Sequence, residues 1–202
     1  MTVEKGQAWG ELAPLPEDGV VVGGDAEARR VLEEARRAGQ SFPVLGLLGG
    51  DLCRTLGGTG DVERLRSPQA VTFPVDLGEA LVDGRLHLFV AHLVAHTRLW
   101  TRAFVAMNAQ WLGRWNLGPR AHPGDGLLDV YQARLTLGAL PKVHARLHHG
   151  AHLPHPGVTE RRTRAVQVEL DRTLPVEVDG EVVGKGRVLS VRVQPDALRV
   201  VV

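Results

Sequence analysis

At 202 residues, with 44% hydrophobic and 23% charged residues, the chain has the balance of an ordinary soluble globular protein and can bury a sizeable core in one or two domains. A net charge of +1 excludes a strong bulk electrostatic case for nucleic acid or an anionic membrane, leaving local basic patches. A single cysteine, Cys53, excludes an internal disulfide and suits a reducing cytoplasm, while no signal pattern and no apolar run of membrane-spanning length is present.

In chain order, residues 1–19 hold two prolines and few periodic apolar positions and read as a lead-in. Val20–Val22 is a short apolar run that predicts a buried parallel strand, ending on Gly23-Gly24-Asp25. Ala28, Val31, Leu32 and Ala35 then fall at helical spacing, with Asp25 a good N-cap and Gly39 a good terminator. Phe42–Leu48 predicts a second buried strand and Asp51–Leu56 a second short helix. This alternation is the grammar of an α/β unit.

From about Ala70 the pattern changes. Val71–Leu77, Leu81–Val82, Leu86–Val94, Leu99–Met107 and Leu127–Leu135 are rich in β-formers, and Leu137–Leu147 predicts one helix. The tail alternates at Val166/Val168/Leu170, Val176/Val178 and Val191/Val193. Asp83-Gly84 and Asp179-Gly180 are two-residue hairpin turns. The expected fold class is α/β plus β: a shortened doubly wound α/β lobe over residues 1–69, then an antiparallel β-sandwich lobe over 70–202.

Four stretches, VVVGGD (20–25), LGLLGGDLCRTLGG (45–58), NAQWLGRWNLGPRAHPGDGLLDV (108–130) and PVEVDGEVVG (175–184), together resemble the bacterial diacylglycerol kinases, which share a two-lobed fold with NAD kinases. The resemblance covers roughly residues 18–202. It is most specific at Asp125-Gly126-Leu127-Leu128-Asp129-Val130, Asp179-Gly180-Glu181 and Arg54-Thr55-Leu56-Gly57. It implies transfer of the γ-phosphoryl group of ATP to a lipid hydroxyl, with Mg2+. Gly23, Gly24, Asp25, Gly49, Gly50 and Asp51 would face the nucleotide, and Asp125 and the Leu127 carbonyl would hold magnesium. The hairpin of Asp179 and Glu181 would carry the catalytic base. A lipid substrate and peripheral membrane contact go with the same likeness, while the net charge argues against nucleic acid and the lone cysteine for a cytoplasmic location.

The departures are specific. Ala26-Glu27 stands where the family has Gly-Thr, and Gly49-Gly50-Asp51-Leu52 lacks the family's threonine and asparagine. Only 19 residues precede Val20, where the family carries another strand–helix–strand unit, so the α/β lobe is expected to be shortened; a homo-oligomer or a complementing chain is left open, and a neighbouring chain supplying the missing unit would restore the enzyme reading. A glycine cradle lets amides close on phosphate with no Cβ in the way, and Glu27 places a negative charge where phosphate would sit. At ~4 Å and an effective dielectric of ~20, like charges repel by about 4 kcal/mol before screening, against ~0.3–1 kcal/mol returned by a helix dipole. The expectation is weak ATP binding.

Each motif has a plainer reading. Gly23-Gly24-Asp25 also makes a turn and helix cap, and Asp125 also caps a loop. His144, His148, His149, His152 and His155 offer a metal at i, i+4 spacing or a solvated helix end, and the second is the expectation. Trp100, Trp111 and Trp115 fit core packing or a lipid-accepting cleft.

Overall fold

The structure is a computed structural model and describes residues 9–202. Strand β1 (Glu11–Leu12) leads to β2 (Val20–Val22), helix α1 (Asp25–Arg37), β3 (Leu45–Leu47), and helices α2 (Gly50–Thr55) and α3 (Val62–Leu65). Strands β4 (Val71–Val82), β5 (Arg85–Phe89), β6 (His92–His96), β7 (Arg102–Met107) and β8 (Leu128–Arg134) follow. Helix α4 (Leu140–Leu147), entered through a 3-10 turn at Leu137–Ala139, precedes β9 (Val158–Thr163), β10 (Ala165–Val178) and β11 (Glu181–Val201).

Most of the sheet is antiparallel, in the order β1-β4-β11-β10-β6-β7-β8-β9. It curls so that Phe89, Phe104, Leu128, Val176 and Leu189 meet in one interior, the filling of a β-sandwich. Each such side chain contributes about 1.5–3 kcal/mol by leaving water. Phe89 lies flat over Gly78, its cross-strand partner, and a Cβ there would enter the ring. The last residues of β11, Val200 and Val201, pair in parallel with Leu45 and Gly46 of β3, which pairs in parallel with β2. The α/β elements thus extend the same sheet. Ala28 and Leu32 of α1 seal them against Val22, Leu45, Leu47 and Leu77.

The predicted antiparallel β architecture is present, with local differences that have physical causes. Leu86–Val94 breaks at Val90-Ala91, because both amides donate to the Asp179 carboxylate instead of a neighbouring strand. Leu99–Met107 starts only at Arg102, because Thr97–Thr101 turns, with the Trp100 amide donating to the Thr97 carbonyl. Phe42–Leu48 narrows to Leu45–Leu47. Gly24, with extended backbone, takes the N-cap position expected for Asp25, whose side chain is used elsewhere. Strands β1 and β9 were not expected. Each is short or polar and lies at an end of the sheet order, where one partner suffices.

Candidate functional site

Parallel strands β2 and β3 deliver their glycine turns side by side at their C-terminal ends, the place where open α/β sheets bind ligands. The two turns interlock. A Cβ on Gly49 would lie 2.6 Å from the Gly23 carbonyl oxygen, and one on Gly50 (φ +94°) would strike the Asp25 carboxylate. Only glycine permits that approach. The Asp25 carboxylate accepts the amides of Asp51 (2.5 Å) and Leu52 (3.2 Å), so it caps α2 and not its own helix. Burial, then the neighbouring Asp179 charge, pushes its carboxyl up to about 7.

Asp51 faces the other way. Its Oδ2 lies 3.0 Å from His92 Nε2 and accepts the Gly113 amide at 2.8 Å. Burial raises the Asp51 carboxyl, but the imidazole and the amide outweigh it and hold the group below the usual carboxylate range. Burial lowers His92, yet Asp51 and the surrounding carboxylates outweigh it and hold the imidazole above its usual value. His92 Nδ1 is buried with no hydrogen-bond partner among the described residues. Nothing in the sequence marks His92. It is one polar residue in the apolar run Leu88–Ala95, with no spacing to mark it.

The β10–β11 turn closes the cluster. Asp179 (φ 50°) and Gly180 (φ 81°) both adopt the positive φ of a type I′ turn. Both carboxylate oxygens of Asp179 are engaged, accepting the amides of Val90 (2.9 Å), Ala91 (2.9 Å) and His92 (3.1 Å). Burial outweighs these bonds and the His92 charge, so the Asp179 carboxyl is raised. Glu181 accepts from Arg29 of α1 at 2.5 Å and lies 3.8 Å from Arg30. The structure thus gathers Gly23, Gly24, Asp25, Gly49, Gly50, Asp51 and Asp179 in one place, with Glu181, at the start of β11, on the edge and paired to α1.

Asp125 and Leu127 lie elsewhere, on the approach to β8. The Asp125 carboxylate accepts the Leu127 amide (3.0 Å) and is held by Arg162 of β9, which also donates to Asp129 at 2.8 Å. Burial pushes the Asp129 carboxyl up to about 6 despite that guanidinium. A built-in cation therefore occupies Asp125, the acid to which the resemblance assigns magnesium, as well as its neighbour Asp129, and the residues as arranged do not fit the metal. Among the described residues no group of three His, Cys, Asp or Glu could hold a metal ion. Arg162→Ala is expected to cost about 2–3 kcal/mol, less than the 3–5 kcal/mol of a fully buried pair because Arg162 is partly exposed. In thermal denaturation, millimolar magnesium should restore part of that loss in the variant and nothing in the wild type. No magnesium effect on the variant would leave Arg162 a structural cation alone.

The nucleotide cradle is similarly occupied. Helix α1 has no side-chain cap, but Glu27 reaches back one turn and accepts the Gly23 amide at 2.7 Å. A phosphate at this turn would have to displace a carboxylate of its own sign, so the turn as built does not fit a nucleotide well.

A groove lined by Val94, Trp100, Leu112, Gly113 and Trp115, with the charged Arg114 and Glu177 also in its wall, leads away from the Asp51–Gly113 contact. Trp100 stacks on His96 (4.1 Å) and meets Trp115 edge-on (5.2 Å), and Trp115 stacks on His144 (5.6 Å). Behind Trp100 an apolar pocket opens between α4 and strands β7 and β8, lined by Val105, Tyr131, Leu135, Val143 and Leu147. Trp111 lies apart, with the Arg54 guanidinium 3.4 Å above its ring. The histidines of 144–155 diverge: His148 and His149 are exposed, while His152 is buried against Tyr131.

Residues 62–202 match the YegS C-terminal NAD kinase beta sandwich-like domain. Among solved structures, one of a candidate diacylglycerol kinase from Bacillus anthracis str. Sterne superposes with a TM-score of 0.67 at 15% identity, covering 91% of this chain and 77% of that one. A second structure of a candidate diacylglycerol kinase from that strain gives 0.64, also at 15% identity and with the same coverage. A diacylglycerol kinase of the strain gives 0.55 at 14%, covering 79% of this chain and 66% of that one. At such identity the likeness is one of fold. No curated protein matches the chain.

Proposed function

Because the chain belongs to the family of the YegS C-terminal NAD kinase beta sandwich-like domain, we propose that it is a lipid kinase-type protein that keeps a lipid-acceptor site and has little or no phosphoryl transfer. One observation carries this reading. The two glycine turns, Asp25, Asp51 and the Asp179 turn converge where a groove leaves for an aromatic-walled apolar pocket. An apolar pocket with a few convergent polar groups suits an amphiphile whose hydroxyl meets the polar end.

In this reading the chain divides near residue 70 into a nucleotide-side part (1–69) and an acceptor-side β part (70–202). Nucleotide and divalent cation belong to the family's reaction, which proceeds by positioning and charge neutralisation. The chain's own residues decide what remains of it. Asp179 and Glu181 stand as base candidates, but Asp179 would have to give up three amide bonds to act. Glu181 is half-exposed and held by Arg29. Asp25 joins them, since a carboxyl near neutrality can both take and give a proton.

The Glu27–Gly23 contact favours a second reading, in which the protein binds lipid or a partner without catalysis. Thermal shift with millimolar Mg-ATP separates the two. Ligand at a hundredfold excess over Kd stabilises by about 2.7 kcal/mol. The wild type is expected to move by less than about 2 °C, well under what such binding gives a chain of this size. Ala26→Gly with Glu27→Thr should enlarge the shift by freeing the Gly23 amide. A large wild-type shift, with radiolabelled phosphate passing to diacylglycerol, would make the protein a working kinase.

A further inference from the structure

Four non-glycine residues hold a positive φ among the described residues, and three of them are aspartates, which tolerate it. The fourth is Trp100 (φ 58°), a bulky residue for which the left-handed region is costly. Its turn holds it there. The Trp100 amide donates to the Thr97 carbonyl at 2.7 Å, and the Thr97 amide donates to the Arg102 carbonyl at 2.9 Å. The strained indole lines the groove that starts at the Asp51–Gly113 contact. A second indole in that groove, Trp115, is set as firmly. Leu112 and Trp115 exchange both backbone hydrogen bonds (2.9 and 3.0 Å), and the Gly113 amide between them is anchored on Asp51.

The two rings meet at 87° with centroids 5.2 Å apart, which gives the groove a right-angled aromatic corner. Each ring is backed by an imidazole, Trp100 by His96 and Trp115 by His144. Val94 and Leu112 supply the apolar surface beside them. Two charged side chains stand in the same wall. Glu177 meets His96 Nε2 at 3.2 Å through Oε1, and its Oε2 has no hydrogen-bond partner among the described residues. Arg114 is exposed and has no carboxylate partner among them.

We propose that this groove binds a quaternary ammonium group joined to a phosphate, the chemistry of a phosphocholine-type headgroup. Indole faces carry negative charge density and attract a cation, and Glu177 adds a carboxylate beside them. Methyl groups on the nitrogen suit Val94 and Leu112, because such a cation sheds water at little cost. A metal ion would need more oxygen or nitrogen donors than one carboxylate offers. A lone anion would meet Glu177, and a lone cation would meet Arg114. A zwitterion satisfies both, its ammonium in the corner and its phosphate on the guanidinium. The groove encloses about 300 Å³, room for a headgroup. That this headgroup belongs to a lipid acceptor rests on the lipid-acceptor reading, whereas the ammonium site itself does not.

The test is isothermal titration calorimetry of the full chain with phosphocholine, choline and inorganic phosphate, each at millimolar concentration. Phosphocholine is expected to bind saturably, choline more weakly and inorganic phosphate least. Trp100→Leu should weaken phosphocholine and choline about tenfold, whereas Trp100→Tyr, which keeps an aromatic face, should stay within about threefold of the wild type. Glu177→Gln should weaken both ligands about fivefold. Arg114→Ala should weaken phosphocholine by about the same factor and leave choline no weaker. Glu177 and Arg114 are accessible enough to change without disturbing the core, and unchanged near-UV circular dichroism certifies each variant. A wild type that binds no phosphocholine overturns the proposal, as does binding that neither Trp100→Leu nor Glu177→Gln weakens. Inorganic phosphate bound as tightly as phosphocholine overturns it too, since Arg114 would then be an anion site with no part for the indoles. Phosphocholine bound with no lipid phosphorylated upholds the site and sinks only the kinase reading. Lipid phosphorylated with no phosphocholine bound does the reverse.

Discussion

Asp179→Ala is expected to lower the unfolding free energy by about 3–5 kcal/mol, measured by chemical denaturation at pH 7. The wild-type carboxylate accepts three amides, from Val90, Ala91 and His92, at the point where the chain leaves β5 and enters β6. Alanine leaves these buried donors without an acceptor, and each costs about 1–3 kcal/mol unless water reaches it. Relief of the buried charge returns part of that sum, which keeps the expectation below the upper bound. Asp179→Asn should cost less, about 1–2 kcal/mol, because the amide oxygen still accepts while the amide nitrogen faces one donor. Glu181→Gln should change stability little, since the residue is half-exposed and Arg29 retains Glu33. A loss below about 1 kcal/mol for Asp179→Ala would mean that the turn does not staple the 90–92 segment. The base reading of Asp179 would then gain ground.

That staple explains what was and was not legible in the sequence. The Asp-Gly turns were legible because their chemistry is local: two positive φ angles at 83–84 and 179–180 need those residue types. Helix α1 was legible from its apolar stripe, and Glu27 from its place in the first turn, where it does meet the Gly23 amide. What could not be read is pairing at a distance. Asp179 finds its amides nearly ninety positions away, Asp51 finds His92 across 41, and Arg162 finds Asp125 across 37. No period or motif connects such residues. The resemblance named the acids, but the partners that now occupy them, Arg162 and the 90–92 amides, became visible only in the fold. The break at Val90-Ala91 is the same fact in another form. Propensity favours a continuous strand there, and a carboxylate from another hairpin overrides it.

The second large effect is a pH dependence carried by Asp25. Its folded carboxyl sits at about 7, raised first by burial and then by Asp179, against about 3.9 for an unperturbed aspartate. The folded state therefore holds a proton that the unfolded chain releases, so stability falls as pH rises between those two values. One such group gives a slope of about 1.4 kcal/mol per pH unit between roughly pH 5 and 6.5, flattening above pH 8. His92, raised above its usual value, acts in the same sense at higher pH, because its stabilisation is lost as it deprotonates. His87 and His152, lowered by burial, oppose it, since they lose stability as pH falls through about 6.5. These backgrounds largely cancel when the wild type is compared with Asp25→Asn, a variant with nothing to titrate at that position. Asparagine cannot accept both α2 amides, so the variant should be clearly less stable at pH 5. The gap should narrow by several kcal/mol at pH 8, where the wild type must keep a buried anion beside Asp179. Parallel stability curves would show that Asp25 ionises normally, removing the case for it as a group that exchanges protons near neutrality. Converging curves would show that the first carboxylate after the glycine turn binds a proton near neutrality, even where Glu27 has closed the cradle beside it.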